Sequence, residues 1–215
     1  MEFLPTSVFN SASNPSQGLF GGTNTTTAEL TFSPSDRANL RFLYSRSNIQ
    51  QIGGLIGAPN GKPINGLADD GFGGRVGNAT ANTFSFNFDW SVTRRFGLFG
   101  RYGYAETNIF PRTNRPDGKI KTQSYQLGVA LPDLIKKGAL FTASFLVPFD
   151  ITGGRRFLVS GGGNGGKQYE FEATYYLPIT DHISIVPAFY AIFNANNFDN
   201  NPTIYVGNLR TQFSF

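Results

Sequence analysis

The last thirteen residues, Thr203 to Phe215, read TIYVGNLRTQFSF. They alternate. Tyr205, Gly207, Leu209, Thr211, Phe213 and Phe215 fall on one face, and Val206, Asn208, Arg210, Gln212 and Ser214 on the other. Period two is the signature of a strand whose two sides meet different surroundings. The segment ends on an aromatic side chain, as the closing strand of a bacterial outer-membrane barrel does when it is presented to the insertion machinery. An edge strand of a soluble sandwich that happens to end in Phe is the other reading, and the rest of the chain decides between them.

The same alternation recurs upstream. Ala28, Leu30 and Phe32 oppose Glu29 and Thr31, and Leu40, Phe42 and Tyr44 oppose Asn39, Arg41 and Ser45. Phe84, Phe86, Phe88 and Trp90 alternate with Ser85, Asn87, Asp89 and Ser91. Leu98, Gly100, Tyr102 and Tyr104 oppose Phe99, Arg101, Gly103 and Ala105. Further apolar faces follow at Tyr125–Leu131, Phe141–Phe149, Tyr169–Leu177 and Ile183–Phe193. With the terminal segment this predicts nine strands. A weakly patterned stretch, residues 1–26, reads as a truncated strand stump (Phe3 to Asn10) and an outer loop, and residues 27–215 carry the regular pattern.

The connections are sorted by length. SPSD (Ser33 to Asp36), TRR (Thr93 to Arg95), PDLIKKG (Pro132 to Gly138) and PITD (Pro178 to Asp181) are short and rich in turn formers. The intervening segments, 47–81, 107–121, 150–166 and 194–202, are long and rich in Gly, Asn and Pro. Short turns on one rim and long loops on the other describe an outer-membrane barrel. A sandwich has no reason to sort them so, and it needs Greek-key crossings where this chain reads as a meander. The expected fold is therefore all-β, an antiparallel up-and-down transmembrane β-barrel with about nine to ten strands in this chain.

Composition agrees. The 215 residues include 22 Phe, 9 Tyr and 26 Gly, with charged residues at only 15%. That favours strands and turns over helices. The net charge is +4 without a Lys/Arg-rich cluster, so a nucleic-acid partner has no electrostatic footprint. Cys is absent, which excludes disulfides and thiolate chemistry. No apolar run approaches the roughly 20 residues of a membrane helix, whereas barrel strands need only about 9–11 and are apolar on one side. The opening MEFLPTSVFNSASNPSQ has neither the basic nor the continuous apolar region of a signal peptide. With an odd strand count, an even-stranded barrel would lack at least one strand. The chain reads as a piece of a longer barrel, or as a small closed one.

Several segments in order, GLFGG, LTFSPSD, LPDLIKKG, the Glu172–Pro187 hairpin with YLPITDHISIVP, and DNNPTIYVGNLRTQFSF, resemble the C-terminal part of cyanobacterial outer-membrane porins of the OprB family, the carbohydrate-selective or iron uptake porins. The resemblance covers about Gly18 to Phe215. It implies the C-terminal portion of a sixteen-stranded porin barrel in the bacterial outer membrane. The function it implies is passive diffusion of carbohydrates and inorganic ions, including iron, with no cofactor and no enzymatic activity. The implied partners are outer-membrane lipid, the barrel insertion machinery, small solutes, and either a homotrimer or the missing N-terminal half.

The alternation assigns the pore-lining set: Glu29, Arg41, Asn87, Asp89, Arg101, Gln126, Glu170, Glu172, Asn208, Arg210 and Gln212. It mixes both charge signs, so strong net selectivity is not expected, and plain solvated wall charges are the bland alternative. Arg210 is the best single constriction charge. Phe213 and Phe215 form the membrane-insertion signal. Tyr44, Trp90, Tyr102, Tyr104, Tyr175 and Tyr205 point outward as interfacial girdles, or simply reflect β propensity. No catalytic or metal site is expected. GGGNGG (Gly161 to Gly166) lacks a following helix and reads as a mobile loop. His182 is the only His and lies in a turn. Asp69, Asp70 and Asp199 read as solvated loop carboxylates rather than cation ligands, and Lys136-Lys137 as a solvated rim. A non-transporting sandwich or small barrel that binds carbohydrate through its loops is the alternative function.

Overall fold

In the computed structural model the described residues are 24–50, 68–74, 76–112, 114–159 and 162–214. The expected stump, Phe3 to Asn10, the GLFGG segment and Phe215 lie outside them. Nine strands follow one another in a single antiparallel sheet in chain order. They are β1 (Asn24–Ser35), β2 (Ala38–Gln50), β3 (Val76–Thr93), β4 (Phe96–Pro111), β5 (Gly118–Pro132), β6 (Leu140–Gly153), β7 (Tyr169–Pro178), β8 (Ile183–Phe193) and β9 (Ile204–Phe213). Each strand pairs only with its chain neighbours, so the topology is a meander in one layer. No second sheet stacks on it among the described residues, which removes the sandwich reading. Among the described residues β1 and β9 form the two edges, and almost every residue of both is exposed.

Register fixes the faces. One row runs Arg41, Asn87, Arg101, Gln126, Leu146, Glu170, Ile192, each residue directly opposite the next across a strand pair. The adjacent row on the other face runs Leu30, Phe42, Phe86, Tyr102, Tyr125, Val147. A one-residue slip would exchange these faces, so the polar/apolar contrast itself holds the register. On the apolar face the rings of Phe42 and Phe86 lie 5.0 Å apart and those of Tyr44 and Phe84 4.9 Å apart.

The short turns form where expected. Asp133 and Ile135 adopt positive φ in the β5–β6 turn, and the Asp133 carboxylate accepts the Gly138 N–H at 2.7 Å. Lys136 is not merely solvated. Its ammonium donates to the Pro178 carbonyl of the β7–β8 turn, and the Tyr175 hydroxyl donates to the Leu134 carbonyl at 2.6 Å, so neighbouring turns are tied together.

The strands are longer than the alternation predicts. β3, β4 and β5 have 18, 16 and 15 residues, and they run into segments 76–81, 107–111 and 118–121 that read as loop. Residues 24–26 and 47–50 likewise belong to β1 and β2. These extensions are polar on the face that is apolar lower down: Arg46, Asn82, Glu106 and Lys121 are successive register partners. The ladder supplies their backbone hydrogen bonds, so strand persists without a hydrophobic contrast. From Tyr104 to Phe110 the extension adds about 20 Å.

The buried core lies at this long-loop end, on the face that carries Arg41 and Arg101. Ile109 and Val76 are fully buried, with Ala79, Ile120 and Phe157 beside them and Ile49, Ala68 and Leu158 packed against the group. Phe157 comes from a 3-10 turn, Arg155–Phe157, in the loop after β6. Gly154 opens that turn at φ 76, and a Cβ there would lie 2.8 Å from the Ile120 Cα, so the left-handed glycine permits the loop to fold down on the sheet.

Candidate functional site: the polar face of the sheet

All eleven residues assigned to the pore wall from the sequence stand on one face by register. Asn208, Arg210 and Gln212 oppose Ala188, Val186 and Ser184 on β8, and Glu172 opposes Ser144 and Tyr190. Their environments differ. Arg41 and Asp89 form an ion pair at 2.9 Å, and Asn39 donates to the second Asp89 oxygen at 2.7 Å. These two charges therefore cancel locally. Gln126 donates to the Ser144 hydroxyl at 3.1 Å. Thr174 donates to Glu172 at 3.4 Å, and Gln168 donates to Glu170. Among the described residues Arg101, Arg210, Glu29, Glu170 and Glu172 have no ion-pair partner. The face thus presents separate negative and positive strips: Glu29 on β1, Arg101 on β4, the two glutamates on β7 and Arg210 on β9.

The opposite face is a band of apolar and aromatic side chains. Tyr44, Tyr102, Tyr104 and Tyr205 edge it toward the long loops, and Trp90 and Tyr175 toward the short turns. Phe213 lies on this face, opposite Ile183, and is 59% exposed. Tyr125 and Tyr169 belong with the upper edge and are not in the sequence-derived set: Tyr125 opposes Tyr102, and the Tyr169 ring stacks on Phe193 at 4.8 Å. Their alternation gave them away as outward, but their height along the strand depends on register.

Above the band, charges pair. Lys119 meets Glu106 at 2.6 Å, and Lys167 meets Asp150 at 2.8 Å. The hydrogen bond from Lys167 to Asp150 holds the ammonium above the usual lysine range, outweighing the opposing effect of burial. Asp69 and Asp70 are not solvated carboxylates. Asp70 is 3% exposed, and its Oδ1 accepts the amides of Phe72 and Gly74 at 2.9 and 2.7 Å. Asp69 accepts those of Gly71 and Gly73, and its own N–H donates to the Phe157 carbonyl at 2.9 Å. The DDGFGG segment is thus a knot docked on the core described above, and Arg115 lies over the Phe72 ring at 4.1 Å. The Gly162–Gly166 part of the glycine-rich loop is also held: Asn164 exchanges hydrogen bonds with Asp199 at 2.6 and 3.1 Å, which places Asp199 in a loop–loop contact. Gly161 lies outside the described residues. His182 pairs with the Ser214 carbonyl through Nδ1 at 3.1 Å. Among the described residues no three His, Asp or Glu side chains gather as metal ligands, and no helix is long and apolar enough to cross a membrane.

A single-layer antiparallel meander with one apolar, aromatic-edged face and one charged face defines the class: it is the wall of a β-barrel of the membrane type. Residues 6–215 match the family model described as carbohydrate-selective porin, OprB family, and the chain belongs to that family. It is similar to an uncharacterized protein of Synechocystis sp., 27% identical over 94% of this chain and 38% of the relative. It is also similar to an uncharacterized protein of Nostoc sp., 29% identical over 94% of this chain and 33% of the relative. The chain therefore spans well under half of the length of these relatives. No solved structure matches it.

Proposed function

We propose that this sheet is part of the wall of a water-filled channel in the bacterial outer membrane. Small solutes, carbohydrates and inorganic ions including iron, cross it by passive diffusion, and no enzymatic step is involved. The observation that carries the reading is the opposition of the two faces. Rings and aliphatic chains suit lipid on one side, while Arg101, Arg210, Glu170 and Glu172, which have no ion-pair partner among the described residues, need water on the other. Strips of both signs place a field across the lumen without a large net charge, which orients polar solutes and favours neither ion sign strongly.

The exposed edges β1 and β9 bear on partners. In lipid each unpaired backbone group costs several kcal/mol, so further strands of the same barrel are the proposed partners of both edges. Outer-membrane lipid covers the apolar face, and Phe213 and Phe215 are offered to the insertion machinery. Reconstitution of the chain in planar bilayers tests the reading. Stepwise ohmic conductance, with swelling of sugar-loaded liposomes, is expected, and a preparation that inserts but neither conducts nor passes sugar overturns it.

A further inference from the structure

We infer that Phe99 is a stacking platform for a pyranose ring on the lumen wall. This rests on the channel reading above. Phe99 is an aromatic on the charged face, between the outward residues Leu98 and Gly100. It directly opposes Asp89 on β3 and Gly128 on β5. A Cβ at position 128 would lie 2.6 and 2.8 Å from the two ε carbons of the Phe99 ring and closer still to ζ. A ring pointing edge-on at Gly128 would leave its ε carbons clearly farther away than ζ. The near-equal distances place that point above the ring plane, so the ring lies flat along the wall. One π face covers the glycine and the other faces the lumen, and the residue is only half-buried.

A flat, partly exposed ring is what the C–H face of a pyranose meets best, since the negative π face attracts weakly positive C–H groups. The hydroxyls around a sugar so placed need donors and acceptors at the ring's margin, and the register provides them. Asp89 stands on one side, and Arg101 lies two residues up β4, flanked by Asn87 and Gln126. The position is three residues from the start of β4, about 10 Å from the short-turn rim. The same device occurs on the other face, where the Phe88 ring covers Gly100 with 2.6 and 2.9 Å to a Cβ there. Covering a glycine is therefore a structural job that both rings do, and only Phe99 does it facing water. Phe88 serves as the internal control.

The test is ligand-observed NMR on the full chain in detergent micelles, titrated with methyl α-glucoside and, separately, an open-chain hexitol. Saturable binding of the glucoside and none of the hexitol is expected. Phe99→Leu should weaken glucoside binding about three- to tenfold, Phe99→Tyr should preserve it, and Gly128→Ala, which displaces the ring without removing it, should weaken it as Phe99→Leu does. Phe88→Leu should leave it unchanged. Equal binding by Phe99→Leu and the unmodified chain overturns the proposal, as does equal binding of hexitol and glucoside, or no saturable glucoside binding at all. Conductance of the same samples separates the two readings. Phe99-dependent binding without conductance removes the channel and keeps the platform, whereas conductance with Phe99-independent binding does the reverse.

Discussion

The ring of Phe157, in the loop after β6, lies over Gly118 at the start of β5, where a Cβ would sit 2.6 Å from its Cε1. This contact closes the one buried apolar cluster found among the described residues, and the cluster lies on the face that carries Arg41 and Arg101. The loop segments 68–74 and 154–158 are thereby folded over the charged face of the sheet at its long-loop end rather than outward into solvent.

Removing the ring should release both segments. Phe157→Ala is expected to cost about 3 kcal/mol locally, as for a buried aromatic, and Gly118→Val should act similarly by displacing the ring. Native-state hydrogen exchange at the Asp69 amide, which donates to the Phe157 carbonyl, should then accelerate roughly a hundredfold. Exchange in the centre of β4 should not change. Unaltered exchange at Asp69 would show that the knot of Asp69 and Asp70 holds itself without the clasp.

Arg210 stands without an ion-pair partner among the described residues, near the short-turn end of β9. Arg210→Glu changes the wall by two charges and should shift the reversal potential in a salt gradient toward cation preference. Asp89→Asn provides a comparison. It frees Arg41 from a 2.9 Å pair and should shift preference toward anions. Both groups of that pair are substantially exposed, so its loss should change stability by less than about 1 kcal/mol. An identical reversal potential in Arg210→Glu would remove this residue from the conduction path.

Alkaline pH should loosen the loop between β6 and β7. Lys167 has its folded-state pKa raised, first by its hydrogen bond to Asp150. Its contribution is therefore fully present below the unfolded lysine value of about 10.4 and is lost as pH rises through the higher folded value. The lysine is 47% exposed, so the effect is small and screened by salt. Proteolysis of residues 154–168 should become faster only above about pH 10, and Lys167→Gln should make cleavage at neutral pH as fast as in the unmodified chain at the alkaline end. A cleavage rate that stays flat up to pH 12 would discount the pair.

How much of this was legible depends on contrast between faces. Phe84 to Trp90 alternate with Ser85 to Ser91, so both the strand and its sidedness could be read. The extensions 76–81 and 107–111 could not, because Asn78, Thr80, Thr107 and Asn108 interrupt the apolar residues and leave no period. The clasp was hidden for another reason. Gly118 and Ile109 fall in the segment 107–121 and Phe157 in 150–166, and only the fold brings them together. The flat seating of Phe99 on Gly128 depends on the β4–β5 register, which alternation alone does not supply. Lys136, read as a solvated rim charge, spends its ammonium on the next turn.

Two adjacent residues on β2 test the sidedness directly. Phe42 lies within the apolar band, 47% exposed on that face, its ring 5.0 Å from that of Phe86. Leu43, the next residue, stands on the charged face opposite Glu29 and Ser85. Phe42→Arg places a cation against hydrocarbon and should cost about 2–4 kcal/mol, the depth-dependent penalty for a lipid-facing arginine in a barrel. Leu43→Arg places the same cation in water beside a carboxylate that has no ion-pair partner among the described residues, and it should fold about as well as the unmodified chain. Heat-modifiable migration on gels after refolding into detergent or lipid reads both. Equal tolerance of the two substitutions would mean that water bathes both faces, and the membrane assignment would fall with it.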